Sequence, residues 1–453
     1  MKASFSEAVE QVGHLVDLWL PLKIQYDETP GTSVGIVYKG KLLYGRGFGF
    51  ADIQKRKKAD EKTLYRIASI SKVFTTIAIL QLVEAGKLRL DDKVTDYVDW
   101  FQAKTKHADA KNITIRQVLS HTAGLFRDGT TPHWETGKFP KDLRNSFSKE
   151  SLVLENVTGF KYTNYGFSVL GALIEKISGM EYTEYMNASI VGKLGLTNTH
   201  PDYRDDLSNI ATGYGRMIPR EKRKVFSHYK TYAYAPATGF VSNVIDLTKL
   251  ISSFSLASKG SKIIGREHKK EMMRAHEKTE RGAEYGLGLE ICQVADRKII
   301  GHSGGFHGFI TQVAFDPAND VGVIVLSNAL GSSACEIAFG ILESIYSFID
   351  KRTEYSSSKK IHHAMYEGIY RNVWGDEIIG KLGDSLIGFS PYIDSPLQKR
   401  VLLEPTGKPH CFIMRIPNVF DARDEIAEFI DFKNGKAQEV IFGSHRAKRI
   451  KVS

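Results

Sequence analysis

Apolar residues change their spacing several times along the chain, and each change marks an element. In "MKASFSEAVEQVGHLVDLWLPL" (1–22) they recur every three or four positions, which predicts an amphipathic helix with Val9, Val12, Val16 and Trp19 inward. In "TSVGIVYKGKLLYGRGFGFAD" (32–52) Val34, Ile36, Leu42 and Tyr44 alternate with smaller or polar neighbours, so two strands joined at Lys39-Gly40 are expected. The stretch 69–88, "SISKVFTTIAILQLVEAGKL", is apolar on nearly every face at Val73, Phe74, Ile77, Leu80 and Val83, with Gly86 as a stop. A helix of that kind belongs in the middle of a core.

Residues 90–260 read mostly as helices and polar loops, with helical periods in 114–125, 167–179 and 242–255. Alternation returns in "YGLGLEICQV" (285–294), "RKIIGHSGG" (297–305), "GFITQVAFDP" (308–317) and "VGVIVLSN" (321–328), with turns at "ADR" and "PAND". These predict an antiparallel meander, followed by a helix over 335–349. A polar, serine-rich stretch at 351–360 then reads as a linker, and short strands with frequent turn residues follow it. Asn434-Gly435 is a strong hairpin signal, and 361–453 is expected to form a small closed β-barrel. The whole is read as an α/β (α+β) protein: residues 1–350 with a central antiparallel sheet, flanking helices and a helical subdomain, then the barrel.

A chain of 453 residues exceeds what one hydrophobic core usually supports, which fits this division. The net charge of +10 is spread among acids apart from short clusters such as "REKRK" (220–224), so it reads as solvated surface and not as a nucleic-acid footprint. Apolar runs such as 75–85 and 321–331 are too short to cross a bilayer. The acids among the first 22 residues interrupt the apolar core a signal peptide needs, so a cytoplasmic location is expected, with a leader removed beforehand as the alternative. Cys292, Cys335 and Cys411 lie far apart without paired spacing, which predicts neither a disulfide framework nor a zinc cluster. His362-His363 has no carboxylate or cysteine at ligand spacing, and no metal or organic cofactor is implied.

Candidate chemistry lies at three places. Gly301-His302-Ser303-Gly304-Gly305 matches G-x-S-x-G, but that motif needs a helix after its serine, and here "GFITQVAF" reads as a strand. Ser303 is therefore not expected to be the nucleophile. Ser69 and Lys72 stand three apart at a predicted helix start, nearly one turn, so hydroxyl and amine share a face. A buried lysine near the positive end of a helix dipole is destabilised as a cation and can take the serine proton, while the Ser69 N–H points outward toward a developing oxyanion. Ser71 would face elsewhere. Tyr162 and Asn164, two apart in an extended segment, point the same way and can serve as proton relay and amide binder. His121, in "LSHTAGL", reads as a loop-packing residue.

Ser69-Ile70-Ser71-Lys72, Tyr162-Thr163-Asn164 and His302-Ser303-Gly304 follow the order S-x-x-K, Y-x-N and K-T-G or H-x-G, and with them the chain resembles the serine β-lactamase-like superfamily. The phrases "LSHTAGL", "ATGFVSNVIDLTKL" and "FDPANDVGVIVLSN" resemble it too, and the likeness covers nearly all of residues 10–350. The resemblance implies an acyl-enzyme on Ser69, Lys72 as activating base, and Tyr162 passing protons to the leaving group and from water. It further implies Asn164, Ser303 and Gly304 at the substrate, the Ser69 and Gly305 N–H groups as oxyanion hole, and His302 on an edge strand where relatives carry lysine.

A histidine there, mostly uncharged at neutral pH, argues against efficient β-lactam hydrolysis and for esters, amides or D-amino-acid peptides; turnover would rise from about pH 5 to 8 as it deprotonates. β-Lactamase or D-Ala-D-Ala carboxypeptidase activity is the alternative, and a non-catalytic peptide- or peptidoglycan-binding protein is the alternative of another class. The C-terminal segment resembles the lipocalin-like barrels appended to some peptidases of this superfamily, where a packing or assembly role is at least as well supported as ligand binding. The partners implied are a small molecule or short peptide, with no nucleic acid or membrane, and a homo-oligomer is compatible with the reading.

Overall fold

The computed structural model describes residues 4–101, 110–129, 131–144, 159–257, 263–279, 282–356, 361–397, 399–415 and 424–451. The chain divides into two compact units, Gly31–Ala334 and a second made of Met1–Pro30 with Cys335–Ser453.

In the first unit the sheet runs, by strand, Lys57–Lys58, Lys41–Asp52, Gly31–Tyr38, Val321–Ser327, Phe309–Asp316, Arg297–Phe306, Glu290–Val294, Glu284–Tyr285 and Glu277–Lys278, paired antiparallel throughout. The meander and the first hairpin are as expected, and their turns share a cause. Lys39 and Gly40, like Ala295 and Asp296, have positive φ at both central positions, the turn whose twist matches the flanking strands. The Gly31–Tyr38 and Val321–Ser327 strands meet through Thr32–Ser327 to Tyr38–Val321, and are buried on both faces nearly throughout.

The Ser71–Glu84 helix is buried along almost its whole length and stacks Phe74 on Phe240, ring centres 4.2 Å apart. Asn164–Ser178 and Val244–Ser252 form the helices expected nearby, the former capped by Thr163 and stopped by Gly179 in the left-handed region. The helical period over 114–125 yields only Ile115–Leu119. It stops there because His121 takes φ +60° and the Ser120 hydroxyl bonds back to Arg116 O at 2.9 Å.

The second unit contains a closed barrel of eight strands among the described residues, Gly368–Asn372 through His445–Ile450. Asn434 and Gly435, both at positive φ, form the expected hairpin turn. Tyr366, Tyr370, Phe412 and Phe429 fill the interior, and Arg449 stands over the Tyr370 ring, its guanidinium 4.9 Å from the ring centre. Within the same unit the Phe5–Tyr26 helix lies on the Gly375–Leu382 strand, where a Cβ on Gly380 would meet Leu15 at 2.8 Å. In the stretch read as a linker, Arg352–Tyr355 forms a short helical turn and residues 357–360 lie outside the described residues.

Among the described residues, no helix is long and apolar enough to cross a membrane.

Candidate active site

The serine turn is held between two segments. Tyr65–Arg66 pairs with Val241–Ser242, and Ile67 N–H donates to Phe240 O at 3.0 Å, which brings the chain to a tight turn at Ala68–Ile70. Ala68 has φ +51°, a conformation that costs a non-glycine residue roughly 1–2 kcal/mol. Ser71 holds it there: its hydroxyl donates to Ala68 O at 2.5 Å and accepts the Phe240 N–H at 3.0 Å. Ser71 thus faces the turn, away from Lys72, and Ser69 is left half-exposed at its crest.

Lys72 is fully buried one turn below. Its Nζ lies 3.2 Å from Ser69 Oγ, 2.6 Å from Asn164 Oδ1 and 2.8 Å from Ala237 O. Burial drives its pKa well below the ordinary lysine value; Asp128 and Glu290 pull it back up while Arg127 lowers it further. A neutral amine has two N–H donors and one lone pair. Asn164 Oδ1 and Ala237 O can only accept, so once the amine is deprotonated they take its two donors and the lone pair is left for the Ser69 O–H, whereas a protonated amine donates to all three oxygens.

Asn164 opens the Asn164–Ser178 helix, and its Nδ2 donates to Asp128 Oδ1 at 2.5 Å. Both ends of the amide are thereby engaged inside the protein, one of them on Lys72. Tyr162 precedes it, with its ring centre 4.8 Å from Lys72 Nζ and its phenol hydrogen-bonded to Ser69. Burial raises the phenol pKa above its ordinary value, so it remains protonated and able to donate.

Across the serine runs the Arg297–Phe306 strand. It pairs with Phe309–Asp316 from Ile300 to Phe306, but with Glu290–Val294 only from Arg297 to Gly301. The expected edge strand is therefore interior over its first half and open beyond Gly301, where Glu290–Val294 has ended. Ser303 N–H points to the open side, donating to Glu290 Oε2 at 3.0 Å, and the Gly305 N–H two residues on shares that direction. The Ser303 hydroxyl donates to Glu290 Oε1 at 2.7 Å. Gly304 abuts the serine turn itself: a Cβ there would lie 2.4 Å from Ile67 O and 3.2 Å from Ala68 Cβ.

His302 is buried, and its imidazole is fully engaged. Nδ1 lies 2.6 Å from Ser303 O, an acceptor, so it carries the proton, and Nε2 accepts from the Tyr285 hydroxyl at 2.9 Å. Burial, opposed by Glu290 and by the Ser303 carbonyl, lowers its pKa. The acid limb expected between pH 5 and 8 is accordingly shifted downward, because the desolvated ring resists charging.

The structure brings Ser69, Lys72, Tyr162 and Asn164 into direct contact and sets His302 behind Tyr162, ring centres 6.3 Å apart. Sequence reading missed Asp128, Arg127, Glu290 and Tyr285. Arg127 lies over the Tyr162 ring at 5.2 Å and pairs with Asp128 at 3.2 Å. Their only signal was proximity to "HTAGL" and "YGLGLEI", which carries no chemistry by itself. Among the described residues no group of three or more His, Cys, Asp or Glu is placed to hold a metal ion.

The family model described as Beta-lactamase matches residues 23–343. Protein flp of Staphylococcus aureus (strain NCTC 8325 / PS 47) is 25% identical over 360 residues, 78% of this chain and 68% of its own length. Beta-lactamase-like protein 4 of Dictyostelium discoideum is 25% identical over 359 residues, 73% of this chain and 63% of its own length. In fold, the chain is similar to the octameric penicillin-binding protein homologue from Pyrococcus abyssi, with TM-score 0.63, 23% identity and coverage of 97% and 99% of the two chains. It is also similar to SurE with D-Leu, with TM-score 0.59, 17% identity and coverage of 98% and 99%.

Proposed function

Since the chain belongs to the beta-lactamase family, we propose that it is a serine hydrolase acting through an acyl-enzyme on Ser69, cleaving amide or ester bonds of small substrates such as D-amino-acid peptides or carboxylic esters. The observation that carries this reading is the fully buried Lys72, its Nζ 3.2 Å from Ser69 Oγ and its pKa driven by burial well below the ordinary lysine value.

Lys72 Nζ accepts the Ser69 proton as Oγ attacks the carbonyl carbon. The Ser69 and Gly305 N–H groups take the oxyanion, and the Tyr162 O–H gives its proton to the departing amine or alkoxide as the carbon–heteroatom bond breaks. The phenolate is reprotonated from Lys72, which returns the base to its neutral state. Water then attacks the ester with the same groups running in reverse, releasing the acid and restoring Ser69.

The pocket's charge favours substrates without a carboxylate beside the strand. The resemblance implies lysine where His302 stands with its pKa lowered by burial, and Glu290 adds a negative charge one strand away. That weighs against β-lactam or D-Ala-D-Ala carboxypeptidase activity. SurE, of similar fold, is described with D-Leu, which is why D-residues belong among the substrates tried. An intact Ser69, Lys72 and Tyr162 constellation weighs against a purely binding role. Assembly into a homo-oligomer is part of the proposal, in keeping with the octameric Pyrococcus abyssi homologue.

A fluorophosphonate is expected to add mass to Ser69 alone, and label retained in Ser69→Ala refutes the assignment. A p-nitrophenyl ester, a chromogenic cephalosporin and D- and L-alanine anilides then separate the reactions, with turnover of the ester or D-anilide expected. Wild-type silence on every member favours the binding protein.

A further inference from the structure

We propose that His121 is the positioning residue of Tyr162, holding the phenol against Ser69 from three directions at once. This rests on the reading of Tyr162 as proton relay. The His121 carbonyl accepts Lys161 N–H at 2.7 Å, and its Nδ1 accepts Thr163 N–H at 3.1 Å, so the residues on either side of Tyr162 are tied to one histidine. Its ring lies against the Tyr162 ring, centres 4.3 Å apart at 37°.

Several features show that the imidazole is built for this and not for titration. His121 is fully buried, with Phe160, Phe167 and Tyr285 closing around it at 5.5, 5.2 and 4.8 Å. Because Nδ1 accepts from a backbone N–H, the ring proton sits on Nε2, which points into that aromatic enclosure without a polar partner among the described residues. A protonated ring would lose the Thr163 bond and set a cation beside Lys72. The backbone contributes as well: φ +60° turns the His121 carbonyl toward Lys161, and histidine is among the few side chains that visit this region.

The environment agrees, since burial is the main cause that lowers the His121 pKa and the Arg127 charge adds to it. His121 bonds the backbone on both sides of Tyr162, Lys161 N–H through its carbonyl and Thr163 N–H through its side chain, and a packing role alone does not require Nδ1 to accept from Thr163. A free phenol swings about its Cβ, and displacement by about 1 Å of a reacting group costs up to about a hundredfold in rate.

The test uses two variants of the full chain. His121→Asn keeps an acceptor for Thr163 and tolerates the positive φ but removes the ring; His121→Phe keeps a ring and removes the acceptor. Each is expected to lower kcat on the substrate turned over by about 10- to 100-fold, with KM changed less than about threefold. In a Tyr162→Phe background neither is expected to lower kcat further, because the residue it acts through is gone. Losses that multiply in the double variants overturn the proposal.

A readout independent of turnover is 3-fluorotyrosine at position 162. Its 19F resonance is expected to move and broaden in His121→Asn, as the stacked ring current and the restraint are lost together. An unchanged position and width overturns the proposal even where wild type proves silent on every substrate, a result that would instead remove the functional reading. Should His121→Phe fail to fold, His121→Asn carries both measurements.

Discussion

Gly304→Ala isolates how tightly the strand is fitted to the serine turn. A Cβ there would stand 2.3 Å from Thr311 Oγ1 and 2.4 Å from Ile67 O. Carbon and oxygen ordinarily approach no closer than about 3.3 Å, so the clash with Ile67 O amounts to about 0.9 Å. Thr311 cannot relieve it by rotating, because its hydroxyl donates to the same Ile67 O at 3.1 Å. Either the strand retreats, carrying the Gly305 N–H with it, or the Ile67–Ala68 backbone gives way, and Ala68 is already held at φ +51°.

Overpacking of this kind costs about 1–3 kcal/mol of stability. A misplacement near 1 Å between the two proposed oxyanion donors is expected to lower kcat/KM by about 10- to 100-fold, about 1.4–2.7 kcal/mol of transition-state stabilisation. The assay pairs thermal unfolding with the second-order rate of fluorophosphonate labelling at Ser69. Gly305→Ala serves as the stability control, since its Cβ would meet only Ile310 Cδ1 at 3.7 Å and its stability should change by less than about 0.5 kcal/mol. Wild-type labelling rate and unfolding temperature in Gly304→Ala would refute the reasoning.

Lys72 and His302 supply two more predictions through pH. Burial depresses the Lys72 pKa below its unfolded value of 10.5, so between the two values the unfolded chain holds the extra proton and folding gains stability as pH rises. The stability of wild type relative to Lys72→Met is therefore expected to grow from neutral pH toward 10.5, by urea unfolding at several pH values; a flat difference means that Lys72 is charged when folded. For His302, depressed below 6.5, the kcat/KM profile is expected to show no limb from this group above pH 6.5, and a limb there that disappears in His302→Gln would sink the assignment.

Much of the fold was legible because its elements carry the right period locally. The meander from Glu290 to Ser327 alternates cleanly and turns on residues that sit at positive φ, so strand order followed from tight connections alone. The Gly375–Leu382 strand was not legible: within "GDEIIGKL" its apolar signal is carried by Ile378 and Ile379 between glycines, too short for a pattern. Nor does the first helix announce its partner. Val9, Val12, Val16 and Trp19 specify a buried face, whereas the Gly380 clearance under Leu15 that receives it lies hundreds of residues away.

At the site, legibility followed the range over which chemistry is encoded. Ser69 and Lys72 are neighbours along one helical turn, so their meeting at 3.2 Å follows from spacing. The lowered Lys72 pKa does not, because burial sets it, Arg127 lowers it further and Asp128 and Glu290 oppose it, all from segments far from Lys72 in the chain. The same holds for His302. Its residue type predicted a switch near neutrality, but complete burial lowers its pKa, against the opposing pull of Glu290 and of the Ser303 carbonyl. His302 Nδ1 also lies 3.8 Å from Glu290 Oε1, so a carboxylate stands beside the buried ring. On the proposed function, a substrate carboxylate at the open half of the strand would face Glu290 with no strand cation to offset it, which favours recognition there by shape and hydrogen bonding.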